Sequence, residues 1–161
     1  MRLISCALAS VLLLAACSAN PGQAASGSST AATAVHPVSG LKVVPLTITH
    51  VGKVHRFRVE VAATAEEQAK GLMFRTELGA GEGMIFPMDP PRGASFWMRN
   101  TVIPLDLIFV GTDGRISNIA ANAIPYNEMP LVSVGLVKGV LELKGGRAAQ
   151  LGIVAGDKVA W

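Results

Sequence analysis

From Leu41 onward, short apolar and β-branched runs are cut repeatedly by glycine, proline and asparagine, and this punctuation constrains the fold more than any other feature. Runs of that length suit strands, because a core helix needs ten or more residues with a three-to-four periodicity. Residues 54–61 make the clearest case, with Phe57, Val59 and Val61 alternating with Arg56, Arg58 and Glu60 in the period-two pattern of a half-buried strand. Residues 41–49 contain Pro45 and read as an edge strand or a strand start. Further strands are expected over 84–86, 95–99, 105–110, 115–119, 132–136 and 140–144. Pro90-Pro91, the stretch from Asn100 to Pro104, and a hairpin turn at Asp113-Gly114 separate them. A short helix starts at Thr64, where Thr64 and Glu67 have capping-box spacing, Glu66 and Lys70 lie at i and i+4, and Gly71 weakens the end. GGRAAQLGIVAGD predicts one more helical turn, then a Gly156-Asp157 turn and a last strand through Trp161. The expected fold is mostly β with a minor α component: a single compact β-barrel-like domain of short strands with two short helices.

The first residues, MRLISCALASVLLLAAC, have another character. Arg2 precedes an uncharged apolar stretch over 3–16, shorter than the about 20 residues that span a bilayer, so it reads as a signal-peptide core. Leu14-Ala15-Ala16-Cys17 resembles the lipobox of bacterial lipoproteins. That resemblance implies cleavage before Cys17, a diacylglyceryl group on its thiol, and a membrane as partner. The domain plan is then a signal peptide over 1–16, lipidated Cys17 and a flexible Ser/Ala/Gly/Pro linker over 17–40, and a globular domain over 41–161. Ser18 after Cys17 resembles outer-membrane sorting, which places the expected protein in the cell envelope, on the periplasmic face of the outer membrane if the cell is Gram-negative. Cys6 leaves with the signal and Cys17 carries lipid, so the mature domain has no thiol for a disulfide, a redox pair or a zinc site. Without Arg2, 13 of the 14 Lys and Arg remain against 11 acids, no basic run of five occurs, and nothing points to nucleic acid.

Chemistry concentrates in Ser95-Phe96-Trp97-Met98-Arg99-Asn100-Thr101 and Ile103-Pro104-Leu105-Asp106. If Phe96 and Met98 enter the core, Ser95, Trp97 and Arg99 share the other face, setting an indole beside a guanidinium. Trp and Arg together favour recognition, the guanidinium pairing with carboxylate or phosphate; the plainer reading has Trp97 covering a barrel end and Arg99 meeting a nearby acid. Asp106 shares a row with Ile108 and Val110 while Leu105, Leu107 and Phe109 form the other, so it is expected to be buried with hydrogen bonds or a cation, Arg99 or Arg75. It serves either as an acid or base in a pocket or as a structural acceptor of backbone N–H groups. His36 reads as a linker residue, and His50 and His55 as surface histidines flanking a Gly52-Lys53 turn, without a third metal ligand. Gly79-Ala80-Gly81-Glu82-Gly83 reads as a plain loop, lacking the strand and the Lys-Ser/Thr of a phosphate loop. Met73, Met84, Met88 and Met98 suggest soft-metal binding only weakly, since methionine also fills irregular cores.

Several phrases together resemble the family called domain of unknown function 192. They are Phe57-Arg58-Val59-Glu60-Val61-Ala62, Gly71-Leu72-Met73-Phe74-Arg75, Gly83-Met84-Ile85-Phe86, the stretch from Ser95 to Phe109, Leu141-Glu142-Leu143, and Gly152-Ile153 before Gly156-Asp157-Lys158-Val159. The resemblance implies a small mostly-β domain, often with a lipoprotein start, and no agreed activity. Two departures stand out, Arg99 where the pattern commonly has Lys and Gln68 where it has Arg. The Gly156-Asp157 turn also resembles that of swapped-hairpin and double-psi barrels, an analogy about fold alone. The expected function is a non-catalytic binding module, without cofactor or metal, that uses Trp97, Arg99, Arg75 and Asp106 for a small polar ligand or an envelope protein. The alternative is an envelope enzyme with Asp106 as acid or base and Arg75 and Arg99 holding an anion.

Overall fold

The structure, a computed structural model, describes residues 34–161. In chain order the elements are β1 (Val43–His50), β2 (Lys53–Val61), α1 (Ala65–Lys70), β3 (Glu82–Arg92), β4 (Ser95–Phe96) and β5 (Leu105–Gly111). They continue with β6 (Ile116–Ala123), β7 (Leu131–Val132), β8 (Val137–Lys144), α2 (Arg147–Leu151) and β9 (Lys158–Ala160). Seven strands make one sheet in the order β6-β5-β8-β3-β2-β1-β9, and β4 and β7 pair by themselves. The β2–β3 pair is parallel, because α1 and the loop after it carry the chain back to the start of β3; the other pairs are antiparallel.

Three expectations change. β1 is not an edge strand, since β9 pairs outside it from Thr47↔Ala160 to Thr49↔Lys158; Pro45 lies clear of that stretch. Pro90-Pro91 does not end β3, which runs through it as an irregularity in the pairing with β8 between Pro87 and Arg92. The sheet is also open rather than a closed barrel. Its edges β6 and β9 meet only through an isolated bridge, Arg115↔Lys158, where Ile116 donates to Asp157 O at 2.9 Å and Val159 to Gly114 O at 2.8 Å. β9 has three residues, too little backbone to continue a ladder along β6.

The central strands are buried on both faces, which explains why they read as nearly continuous apolar runs. One face carries Met84, Phe86, Leu107, Phe109 and Val140, joined by Leu72 and Met98. The other carries Ile48, Phe57, Val59, Ile85, Ile108 and Leu141, closed by Ala148 of α2 and Ile153. Ahead of β1, residues 35–42 fold into a hairpin in which Val35 bridges Lys42, His36 donates to Leu41 O at 2.8 Å and Gly40 to His36 O at 2.8 Å. Among the described residues no helix is long and apolar enough to cross a membrane.

Candidate ligand-binding cleft

On the first face, between α1, the end of β3 and β4, lies a cleft of about 410 Å³. Its depth is apolar, built from Leu72, Phe86, Met88 and Phe96, with Phe86 and Phe96 packed edge to face at 5.0 Å between centroids. Trp97, Lys70, Arg92 and Arg99 are exposed and surround the opening. The strand alternation of β8 puts Leu141 and Leu143 on the second face and therefore Glu142 on the first, among the cleft-lining residues and opposite Met84 of β3 and Leu107 of β5. Glu142 is 5% exposed and its Oε2 has no hydrogen-bond partner. Burial pushes its carboxyl up to about 8, so at neutral pH it is mainly an uncharged acid that can donate as well as accept.

The Trp97–Arg99 pairing follows the sequence parity. Trp97 is 49% exposed rather than sealed inside, and the Arg99 guanidinium lies 5.6 Å from its ring centroid. Glu128 approaches Arg99 Nε only at 4.0 Å between two exposed side chains, which leaves the guanidinium available. Lys70 and Arg92 pair with no acid among the described residues; Arg92 reaches only the Gln68 Oε1 at 3.4 Å. Gln68 itself ties α1 to the body by donating to Ala62 O and Pro87 O, a fixing role that suits a neutral amide.

Arg75 and Asp106 do not join this constellation. Arg75 Nη2 donates to both oxygens of buried Glu60 at 2.8 Å and lies 3.4 Å from His36 Nδ1, while the Ser39 hydroxyl bonds the same carboxylate. Arg75 thus clamps the hairpin of 35–42 onto β2, and Glu60 satisfies its charge. Asp106 is fully buried on the opposite face of the sheet, where its parity with Ile108 and Val110 places it. Its Oδ1 accepts from Asn122 N at 2.7 Å and Gly146 N at 2.9 Å, and its Oδ2 from Ala148 N at 2.7 Å. Of the two partners open to it from sequence, hydrogen bonds or an arginine, Asp106 has the hydrogen bonds, all three from backbone amides.

His55 is buried rather than on the surface, paired with Ile48, and burial, with Lys53 and His50 adding to it, lowers its pKa. His50 Nδ1 lies 3.0 and 3.1 Å from the two Asp157 oxygens. Among the described residues no three His, Cys, Asp or Glu gather as a metal site. Met84, Met88 and Met98 are core residues, and Met73 Sδ takes a weak contact from Asn100. Glu142, Lys70 and Arg92 escaped the sequence reading; the available signal was a carboxylate set between leucines in Leu141-Glu142-Leu143.

The DUF192 family model, described as "Uncharacterized ACR", matches residues 46–161. The chain belongs to the DUF192 family. The crystal structure of a protein of unknown function from Novosphingobium aromaticivorans is similar, 64% identical with a TM-score of 0.79, covering 82% of this chain and 94% of that one. A second, from Sinorhizobium meliloti and provisionally described as a transcription regulator, is 33% identical with a TM-score of 0.73, covering 74% of this chain and 94% of that one. No curated protein matches the chain.

Proposed function

We propose that this DUF192 chain is a lipid-anchored cell-envelope module that binds a small anionic ligand in the cleft beside Trp97 and does no chemistry on it. The observation that carries the reading is the cleft itself: an apolar interior opening through an exposed indole and three cations, Lys70, Arg92 and Arg99. Stacking on Trp97 and bidentate pairing with a guanidinium suit a carboxylate or phosphate attached to an apolar body. The enzyme reading loses its acid, because Asp106 is sealed by three amides. The lipid anchor rests on the Leu14-Ala15-Ala16-Cys17 lipobox, with Cys17 as the acceptor.

The test is a melting-temperature screen of the full chain against small carboxylates and phosphates, since a ligand that binds only the folded state raises the melting point. A hit is expected to be recovered unchanged after long incubation and to lose its effect in Trp97→Ala and Arg99→Ala. Conversion of the hit would replace the binder by an enzyme, and hits indifferent to both variants would place binding elsewhere. For the anchor, Cys17→Ala is expected to move the protein out of the membrane fraction. Retention there would sink the lipobox reading.

A further inference from the structure

Glu142 is a poor choice for packing. Its strand neighbours are Met84 and Leu107, its Oε2 finds no partner, and an apolar side chain would fill the same space without a buried polar atom. An unpartnered buried carboxyl that lines a cleft has a use when a ligand supplies the missing partner. The charges around the cleft fix what kind of ligand. α1 contributes Lys70, the end of β3 contributes Arg92, and the loop after β4 contributes Arg99, which Glu128 approaches from outside. The strand positions directly beside Glu142, on β3 and β5, carry no charge. A cationic ligand meets three like charges on entry, whereas an anion is drawn to the mouth and held there. A volume of about 410 Å³ lies near the lower end of the roughly 300–1,000 Å³ typical of small-molecule sites, and so fits a molecule of about one ring.

We propose that the cleft takes a short organic acid, its carboxylate held by Lys70, Arg92 and Arg99, with an uncharged hydroxyl or carbonyl at the far end hydrogen-bonded to the Glu142 carboxyl group. This deepens the binding reading above and rests on it. The polarity of the site follows from burial. With its carboxyl pushed up to about 8, Glu142 keeps its proton at neutral pH and can donate to that far end. Once ionised, it loses the donor and sets a negative charge beneath an anion.

Calorimetry on the full chain with phenylacetate, para-hydroxyphenylacetate and tyramine separates these elements, because the three share a ring and differ in the charge or the polar tip. Para-hydroxyphenylacetate is expected to bind more tightly than phenylacetate, and tyramine not at all. Its affinity is expected to fall as pH rises through the carboxyl's value of about 8, where a negative charge forms beneath the anion. Glu142→Gln is expected to flatten that pH profile, and Glu142→Leu to erase the preference for the hydroxyl; thermal melts of both variants check folding. Equal binding of the two acids, or a wild-type profile that Glu142→Gln leaves unchanged, overturns the role of Glu142 while the anion cleft stands. Failure of both acids to bind, or a preference for tyramine, overturns the cleft reading as well.

Discussion

Asp106 and Glu142 are buried acids on adjacent strands, cross-paired with Leu143 and Leu107 respectively, and strand parity alone separates them. Asp106 faces the start of α2, where Gly146 at the N-cap has a left-handed backbone and no side chain to offer, so the carboxylate acts as a cap supplied from another strand. Asp106→Asn exchanges one acceptor for an N–H₂ group facing amide donors. We expect a loss of about 3 kcal/mol in urea unfolding, with ligand binding on the opposite face retained in the folded fraction. A loss well under 1 kcal/mol would show that those amides find other acceptors. Asp106 was legible in the sequence because both of its strand rows are apolar. Glu142 was not, because Val140, Glu142 and Lys144 look like the outward row of a half-exposed strand until α1 and β4 are known to cover that face. Arg75 misled for a related reason: its partner Glu60 belongs to a row that reads as solvent-facing, yet the hairpin of 35–42 covers it.

At the scale of elements, local chemistry was the reliable guide and pairing was not. Thr64 Oγ1 accepts from Glu67 N at 3.2 Å, and Glu67 Oε2 accepts from the amides of Thr64 and Ala63 at 2.8 and 2.7 Å, the capping box that the spacing predicts. β7 falls short of the predicted run because only Leu131 and Val132 meet β4, a neighbour remote in sequence. α1 has six residues and no buried side chain, so its cap and the Gln68 bonds hold much of it in place over the cleft. Thr64→Ala is expected to cost about 1 kcal/mol and to speed amide exchange in residues 65–70 more than in β8. Uniform acceleration would mean that α1 opens only with the whole domain. The amides of Thr64 and then Ala63 hold the Glu67 carboxyl below its usual value of 4.5, so this contribution is present above that value and is lost as pH falls through the lowered one.

A near-barrel was a fair reading of many short strands, but closure depends on the length left over at the two edges, and no local pattern encodes that. β9 has only three residues, and the sheet stays open with a single bridge across its edges. The whole molecule's pH response is similarly a balance between groups on different strands. His55 is lowered from 6.5, chiefly by burial; the unfolded chain takes up that proton first, so stability is lost as pH falls below about 6.5. Glu142 acts in the opposite sense. Its folded value of about 8 exceeds the 4.5 of an exposed carboxyl, so its contribution is complete below 4.5 and disappears as pH rises through 8. Above pH 6.5 the His55 effect fades as the unfolded imidazole finishes deprotonating, and the fall that remains up to 8 reads Glu142. In that interval the unfolding free energy of the wild type is expected to fall by about 1 kcal/mol per pH unit, measured by urea titration at closely spaced pH values. Glu142→Gln, which carries no titrating proton, is expected to be flat there and to overtake the wild type toward pH 8. A wild type as flat as the variant would mean that the Glu142 carboxyl is already ionised and has found a partner, and the uncharged floor of the cleft would be lost with it.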